Sequence, residues 1–365
     1  MDLLVVRHWR GQFALLCEQR REATLDSMKA WQLTDTLGPD SYQLNEAAEL
    51  EPGPGQVRIK IKYSALNHLD LWLSRGQPAP AHLPHTGGAD AAGVVDAVGE
   101  GAPGFEPGDE IIIDPSFSCG QCAHCRNDNI VYCESFQILG EHRPGTFIEK
   151  IVIPTINAIR KPEAMSWEVA GSFGLVSATA LRMLERARLR RGETVLVVGV
   201  GGGVSAAALQ LALAMGAQVF VTSRSPEKIA WAMEEGAVEG FDSSGEFGAE
   251  MTKQGGADIV IENVGPATMR QSMRAAKRGG RIAICGATSG PKMELSIPSL
   301  FFRQLELIGS SMGTHGQFAR ATEWVGSARA KAPVDRVFDF GELPQALAYL
   351  DSGEQTGKVV LRHPH

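Results

Sequence analysis

The sequence predicts an α/β protein of two domains, a β-rich barrel-like domain followed by a doubly wound parallel sheet. Its 365 residues are enough for two ordinary domains. Up to about residue 176, short strands are separated by glycine turns, which is typical of a barrel. After residue 190, apolar strands alternate with helices, which is typical of a parallel sheet covered by helices.

The first region is predicted to be a domain over residues 28–176. Residues 57–63 alternate apolar and polar side chains, which indicates a half-buried strand. Residues 94–98 and 110–113 are further predicted strands. The glycines that separate them are Gly87, Gly88, Gly93, Gly99, Gly101, Gly104 and Gly108.

The second region is predicted to be a domain over residues 177–311, with the chain returning to the first domain over 312–365. Five strands are predicted, at 194–198, 218–222, 258–262, 281–285 and 306–309. One helix is predicted over 204–215, ended by Gly216. A second begins after the capping residue Ser225. A last strand, 358–361, is expected to join the first domain.

Residues 1–27 are expected to be an extension that lies outside the fold. The apolar run before Arg7 is too short for a secretory signal, and Glu18, Glu22 and Asp26 argue against a transit peptide. A start codon assigned too early would have the same appearance. A functional arm is the alternative interpretation.

The overall charge excludes some partners. The formal net charge is −7 and the pI is about 5.8, which gives no support for nucleic-acid binding. No apolar run is long enough to span a bilayer. We therefore expect a cytoplasmic protein that acts on a small-molecule substrate, with neither a nucleic acid nor a membrane as partner.

Four of the six cysteines are crowded into one segment with the spacing C-x2-C-x2-C-x7-C. They are Cys119, Cys122, Cys125 and Cys133. Four thiolates can close a tetrahedron around one zinc ion and leave no position for water or substrate. The cluster predicts a single structural zinc per chain, in a lobe over 115–135. Disulfides or an iron–sulfur cluster are the alternatives.

A glycine-rich turn follows the first strand of the second domain and opens its helix. Its residues are Gly199, Val200, Gly201, Gly202, Gly203 and Val204. Glycines let the backbone approach a pyrophosphate, and the helix N-terminus supplies N–H groups and a positive dipole end. The strict G-x-G-x-x-G spacing is absent. The turn predicts dinucleotide binding; a turn that merely packs helix on strand is the alternative.

The end of the second strand predicts which dinucleotide is bound. An acidic residue there would bind the ribose 2′-hydroxyl of NAD, but residues 206–226 contain no Asp or Glu. Ser223 and Arg224 can instead bind a 2′-phosphate, and Lys228 adds a second positive charge. NADPH is therefore favoured over NADH. The alternative is that these cations are only a solvated helix start.

Together, the cysteine cluster and the glycine turn resemble the medium-chain dehydrogenase/reductase superfamily, which contains the zinc alcohol dehydrogenases and the quinone oxidoreductases. The resemblance covers residues 28–365. It implies a GroES-like barrel domain interrupted by a Rossmann domain, with the structural zinc on the four cysteines. It also implies a homodimer or homotetramer, joined through the edge strand near 305–310.

The zinc alcohol dehydrogenases also hold a catalytic zinc, but the residues that bind it are absent from this sequence. The positions of its ligands hold Asn67, Ala89 and a residue of 174–176, most directly Leu175. None of these is a good zinc ligand. A site rebuilt from other side chains stays open, and its candidates are His68, Asp70, Asp90 and His142.

The pattern Asn67-x-x-Asp70 instead resembles the quinone oxidoreductase and enoyl reductase branch. There the Asn contacts the cofactor near the nicotinamide and no metal takes part. The resemblance assigns further residues to the cofactor cleft: Thr179, Val264, Gly286, Ala287 and Met312. It also places His142 near that cleft.

These observations predict an NADPH-dependent oxidoreductase that transfers hydride to a quinone or an α,β-unsaturated carbonyl without a catalytic metal. Such acceptors spread the developing negative charge onto a carbonyl oxygen, so a hydrogen-bond donor can replace a Lewis acid. Asn67 and His142 are the candidate catalytic residues, with water as the other proton source. A zinc alcohol dehydrogenase with an atypical site and a non-catalytic NADPH-binding protein are the alternatives.

Overall fold

The computed structural model of the chain describes residues 27–364. The prediction for residues 1–27 lies outside this range, apart from Ser27. No helix within 27–364 is long and apolar enough to cross a membrane. The first domain contains the strands β1 (Ser27–Leu33), β2 (Tyr42–Ala48), β3 (Gln56–Ala65), β4 (His85–Thr86), β5 (Asp90–Val98), β6 (Glu110–Ile113), β7 (Ser116–Phe117), β8 (Gln137–Ile138), β9 (Lys150–Pro154) and β10 (Ala158–Arg160). Its helices are α1 (His68–Ser74), α2 (Ala123–Arg126) and α3 (Trp167–Ala170).

The rest of the chain alternates helices with strands. Its helices are α4 (Gly174–Arg186), α5 (Gly203–Ala214), α6 (Pro226–Glu234), α7 (Phe247–Lys253), α8 (Pro266–Ala275), α9 (Ile297–Phe302), α10 (His315–Gly326) and α11 (Leu343–Ser352). Its strands are β11 (Thr194–Val197), β12 (Gln218–Ser223), β13 (Glu239–Asp242), β14 (Ala257–Glu262), β15 (Ala276–Ile284), β16 (Glu306–Gly309), β17 (Val334–Asp339) and β18 (Lys358–Arg362).

A seven-stranded sheet forms the centre of the first domain. Its order is β10-β6-β5-β3-β18-β17, and β9 also pairs with β3. The alternation seen in the sequence buries Val57, Ile59 and Ile61 of β3 completely. Because β18 pairs antiparallel with β3, the end of the chain lies in the sheet of the first domain.

A parallel sheet of six strands forms the second domain, in the order β13-β12-β11-β14-β15-β16. The predicted α/β fold with a GroES-like domain and a Rossmann domain is confirmed. The prediction of five strands was wrong, because β13 is an additional edge strand. Only Phe241 of β13 is buried, so the segment carries no apolar run that would reveal a strand.

Two predicted helices are found close to their predicted bounds. The helix after the glycine turn begins at Gly203 and ends at Ala214, one residue earlier than predicted at each end. It is apolar on all sides because it is buried between α4 and the sheet. The predicted cap of the next helix is present, since the Ser225 hydroxyl accepts a hydrogen bond from Lys228 N at 3.2 Å.

The returning segment connects the two domains beside the glycine turn. Gly357 N donates to Gly201 O at 2.9 Å, and Lys228 Nζ donates to Gly353 O at 2.6 Å. These bonds bring the start of β18 against the helix that follows the glycine turn. The cleft between the domains is therefore lined by both the glycine turn and the start of β18.

Candidate functional site

The glycine turn has a conformation that only glycine adopts without strain. Gly199 and Gly201 have φ angles of +71° and +116°. A β-carbon at position 201 would lie 2.5 Å from Lys228 Cδ. Thr222 Oγ1 accepts a hydrogen bond from Gly199 N at 3.1 Å, which fixes the turn at the end of β12. The N-terminus of α5 follows directly, so the turn fits a bound pyrophosphate.

The predicted residues for a 2′-phosphate lie after β12 at the same edge of the sheet. Ser223 is buried and its Oγ accepts a hydrogen bond from Ser225 N at 3.2 Å. Arg224 is exposed and forms no ion pair with any carboxylate of residues 27–364. Lys228 is already bonded to the backbone, and burial lowers its pKa. Arg224 is therefore the cation available for a phosphate.

The predicted nicotinamide-side residues follow neighbouring strands of the parallel sheet. Val264 follows β14, Gly286 and Ala287 follow β15, and Met312 follows β16. Carboxyl ends of parallel strands share one edge, which is where ligands bind in such sheets. Thr179 lies on α4, buried, and its hydroxyl donates to Leu175 O at 2.7 Å.

A buried cluster joins Asn67, Asp90 and Lys358 at the cleft. Lys358 Nζ donates to Asn67 Oδ1 at 2.6 Å, to Leu66 O at 2.8 Å and to Asp90 Oδ2 at 3.0 Å. Asn67 Nδ2 donates to the same Asp90 oxygen at 3.0 Å. Lys358 is 5% exposed and Asp90 is 1% exposed, so this is a buried ion pair with an amide inserted in it.

The positions of the absent zinc ligands converge on this cluster. Asp90 Oδ1 accepts a hydrogen bond from Leu175 N at 2.7 Å, and Ala89 is buried beside Asp90. The three positions therefore supply an amide, a methyl group and an aliphatic side chain next to an ammonium ion. Zinc prefers thiolate, imidazole and carboxylate ligands, so this donor set does not fit a catalytic zinc.

Two of the remaining candidates for a rebuilt metal site, Asp70 and His68, have other partners. Asp70 is buried and accepts bonds from Asn67 N at 2.7 Å and Gly88 N at 3.0 Å. Burial raises the pKa of Asp70 to about 6. Burial also lowers the pKa of His68, whose ring lies against Trp72. Within residues 27–364, only the four cysteines group as a metal cluster.

His142 lies on the turn after β8 and forms no hydrogen bond with the cluster of Asn67, Asp90 and Lys358. Its side chain is 44% exposed, and its Nδ1 accepts a bond from Ile138 N at 3.2 Å. The preceding Gly140 packs so closely on Gly88 that a β-carbon would overlap the Gly88 carbonyl. The turn therefore lies against Gly88, two residues before β5, and a catalytic role for His142 stays a prediction.

The four cysteines predicted to bind zinc come together. Their Sγ atoms all lie within 4.8 Å of one another, with Cys122 and Cys125 at 3.4 Å and Cys119 and Cys125 at 3.8 Å. Zinc–sulfur bonds of about 2.3 Å place tetrahedral sulfurs about 3.8 Å apart. The site therefore fits a structural zinc held by the four thiolates, and all four cysteines are free thiols.

The cysteine lobe is attached to the start of α10. Asp128 Oδ2 accepts bonds from Thr314 Oγ1 at 2.8 Å and from Gly316 N at 3.0 Å. His315 Nδ1 lies 2.7 Å from Asp114 Oδ2. A metal in the lobe would therefore brace both the loop and the helix that packs against it.

Lys358 is the site residue that sequence reasoning did not identify. It was predicted only as the first residue of the last strand. The available signal was a single lysine at the start of an otherwise apolar strand, but burial and pairing with a carboxylate 268 residues away cannot be read from that pattern. The sequence likewise contains no local pattern that predicts the bond from Leu175 N to Asp90 Oδ1.

Comparisons with known proteins agree with this architecture. Residues 53–163 match the family described as alcohol dehydrogenase GroES-like domain, and residues 203–327 match the family described as zinc-binding dehydrogenase. A zinc-type alcohol dehydrogenase-like protein of Schizosaccharomyces pombe is 31% identical over 341 residues, covering 90% of this chain and 95% of that protein.

Two further comparisons represent two kinds of enzyme. An acryloyl-coenzyme A reductase of Metallosphaera sedula is 30% identical over 323 residues, covering 88% of this chain and 96% of that protein. A crystal structure of an NAD-dependent alcohol dehydrogenase superposes with a TM-score of 0.89 at 37% identity, covering 92% of this chain and 99% of that one.

Proposed function

The chain belongs to the medium-chain dehydrogenase/reductase superfamily, and the relatives described above are oxidoreductases. We propose that it is an NADPH-dependent reductase of an α,β-unsaturated carbonyl or a quinone. The reaction uses no metal. The observation that carries this proposal is the buried cluster of Asn67, Asp90 and Lys358, which lies against Leu175, where the resemblance expects a zinc ligand.

The chemistry requires little from the protein besides positioning and a hydrogen bond. When bound, NADPH supplies the hydride. As the β-carbon of the acceptor gains that hydride, the electron pair of the alkene moves onto the carbonyl oxygen. Asn67 has a second N–H beyond the one given to Asp90, and this group can donate to that oxygen. Oxidation of an alcohol, by contrast, needs a Lewis acid or base at the hydroxyl group.

The coenzyme is proposed to lie across the edge of the parallel sheet. The glycine turn and the N-terminus of α5 hold the pyrophosphate, and Ser223 and Arg224 hold the 2′-phosphate. Lys228 covers the turn from the other side through its bond to Gly353 O. The exposed Arg224 and the lack of acidic residues at 206–226 support NADPH over NADH.

The acceptor class is proposed from chemistry and from one kind of relative. The similarity to an acryloyl-coenzyme A reductase supports a conjugated thioester, in which the same carbonyl oxygen receives the charge. Enones and quinones share this electronic property. The proton that completes the alkane is proposed to come from His142 or from water, since the His142 turn lies against Gly88, two residues before β5.

The test is an NADPH-oxidation screen on the full chain against enoyl thioesters, enones, quinones, aldehydes and alcohols, with zinc quantified on the same sample. The expected result is one zinc per chain, oxidation of NADPH by a conjugated acceptor, and a weaker response with NADH. Two zincs per chain together with oxidation of an alcohol would contradict the proposal.

A zinc-dependent alcohol dehydrogenase with an atypical site is the second candidate. It is favoured by the structural similarity to an NAD-dependent alcohol dehydrogenase at 37% identity. The same screen separates the two candidates through metal content and substrate. Tight binding of NADPH without turnover of any acceptor would instead indicate a non-catalytic NADPH-binding protein.

We also propose a homodimer formed through α9 and the outer edge of β16, with a homotetramer as the larger alternative. Three apolar side chains of α9 are exposed: Ile297 at 58%, Phe301 at 50% and Phe302 at 66%. An exposed strand edge beside an apolar surface favours pairing with a second copy. Light scattering of F301D, with I156D as the control on another exposed apolar residue, is expected to show a monomer only for F301D.

The four free thiols suit a reducing compartment, because oxidation would compete with binding of zinc. We therefore propose that the protein acts in the cytoplasm. Fractionation of cells that produce the full chain tests this, and recovery of the protein in an oxidising compartment would contradict it.

A further inference from the structure

Lys358 links the glycine turn to Asn67. A β-carbon at Gly203, the first residue of α5, would lie 3.2 Å from Lys358 Cδ, so the aliphatic stem of the lysine passes directly beside the turn. Its ammonium group lies within the Asn67 and Asp90 cluster. All three N–H groups of the ammonium have acceptors, namely Leu66 O, Asn67 Oδ1 and Asp90 Oδ2. Lys358 thus has no hydrogen left for a substrate.

The two charges allow one orientation of the Asn67 amide. The amide oxygen accepts from the ammonium, and the amide nitrogen donates to the carboxylate. A rotation of the amide by 180° would place its N–H groups against the ammonium and its oxygen against the carboxylate. Both contacts would be repulsive in a buried site, so the amide is held in the observed orientation.

Resting on the proposed reductase function, we propose that Lys358 and Asp90 are positioning residues that lock the Asn67 amide, so that its second N–H is presented to the carbonyl oxygen of the acceptor. Asn67 is the residue that touches the substrate, and the other two act through it.

The double variant D90N/K358M separates positioning from folding. It removes both charges of the buried pair at once, so no unpaired charge is left in the interior. The methionine keeps an unbranched apolar stem of similar length against Gly203. The matched control is D258N/K277M, which removes another Lys–Asp pair at 2.8 Å whose carboxylate also accepts a backbone N–H, from Thr194.

The experiment measures NADPH affinity and the single-turnover rate of hydride transfer to the acceptor found in the screen. For D90N/K358M we expect transfer to slow about a hundredfold, because a mobile amide no longer meets the oxygen. The NADPH dissociation constant is expected to stay within about threefold, since the glycine turn and Arg224 are unchanged. The control is expected to match the wild type in both. Wild-type transfer in D90N/K358M would overturn the proposal.

A second measurement does not depend on turnover. If the pair holds the amide, N67A lowers the melting temperature of the wild type but has little further effect in D90N/K358M. An equal effect of N67A in both backgrounds would overturn the positioning role, whether or not any acceptor is reduced. Absence of turnover in the wild type with this coupling present would contradict the proposed function alone.

Discussion

The cysteine lobe and the cleft cluster differ in the cation that their side chains accommodate. The lobe fits a metal ion, and the cleft contains the ammonium group of Lys358. In the lobe, four free cysteines, of which only Cys133 is buried, fit a zinc ion that would close a loop. In the cleft, Asn67, Ala89 and Leu175 offer neither a thiolate nor an imidazole, and Lys358 places an ammonium group 3.0 Å from Asp90 Oδ2. The difference teaches that family membership alone does not decide whether a given site fits a metal ion. The donor atoms at each site do.

The two regions also differ in the effect that loss of the cation would have on each. In the lobe, Asp128 would still hold the loop to the start of α10 after loss of a metal. Loss of Lys358 removes the cation that pairs with the buried Asp90 carboxylate, and no other residue of 27–364 forms an ion pair with it. The predictions that follow test this contrast, from the largest expected effect to the smallest.

Replacement of Cys122 by Ser is expected to abolish zinc binding and to cause the largest loss of stability. A structural zinc contributes directly to the free energy of folding, so we expect a loss of about 5 kcal/mol or more. Zinc quantification and thermal unfolding on the same sample measure both effects. C285A, which removes a thiol outside the lobe, is expected to keep one zinc. Unchanged zinc content in C122S would refute the role of the lobe.

K358M is expected to destabilise the chain without changing its zinc content. It leaves the buried Asp90 unpaired, which costs about 3–5 kcal/mol in the free energy of unfolding. The matched control K277M breaks a pair in which the lysine is 37% exposed, and its cost is expected to be about 1 kcal/mol or less. Denaturant unfolding measures the free energy of unfolding of both variants. Equal losses would contradict the larger loss expected for the buried pair.

R224A extends the comparison to the coenzyme end of the cleft, where the proposed cation is exposed. Loss of a charge-assisted bond to a 2′-phosphate is expected to weaken NADPH binding about tenfold to a hundredfold, with NADH binding unchanged. Fluorescence titration with both coenzymes measures this. R329A, an exposed arginine that lies on Trp324, is the control. An equal loss of affinity for both coenzymes would show that Arg224 does not recognise the 2′-phosphate.

Asp70 supplies the smallest and most local test, because it is the buried carboxylate of the cleft whose pKa is raised. Burial raises the folded-state pKa of Asp70 from its ordinary value of 3.8 to about 6, so the folded state binds the proton more tightly. Its contribution to stability is therefore present at low pH and is lost as pH rises towards and past 6. We expect the wild type to gain about 1.4 kcal/mol between pH 7.5 and pH 5 relative to D70N. Parallel pH profiles of unfolding would contradict the assignment.

The sequence was sufficient for the features that depend on local patterns. The strand, glycine turn and helix at 194–215 follow from an apolar run, φ-permissive glycines and helix formers in one continuous segment. The cysteine cluster follows from spacing alone. The edge strand β13 was not predicted because only Phe241 in it is buried, and short edge strands need no apolar repeat.

The cleft cluster was only half predictable. Asn67, Ala89 and Leu175 were recognised as departures from a zinc site, but nothing local shows what replaces the metal. Lys358 reaches Asn67 across 291 residues of sequence, and that pairing exists only once β18 has joined β3. Long-range electrostatic partners are set by topology, and a single chain's pattern of residue types does not encode them.

The bond between Gly357 N and Gly201 O has a consequence for biosynthesis. The glycine turn emerges from the ribosome more than 150 residues before the segment that completes its surroundings. A chain that ends before Gly353 contains the whole Rossmann domain but lacks both the carbonyl that holds Lys228 and the ammonium of Lys358. The cleft is therefore completed only when the end of the chain has been made, so prematurely terminated products keep the glycine turn without the cluster of Asn67, Asp90 and Lys358.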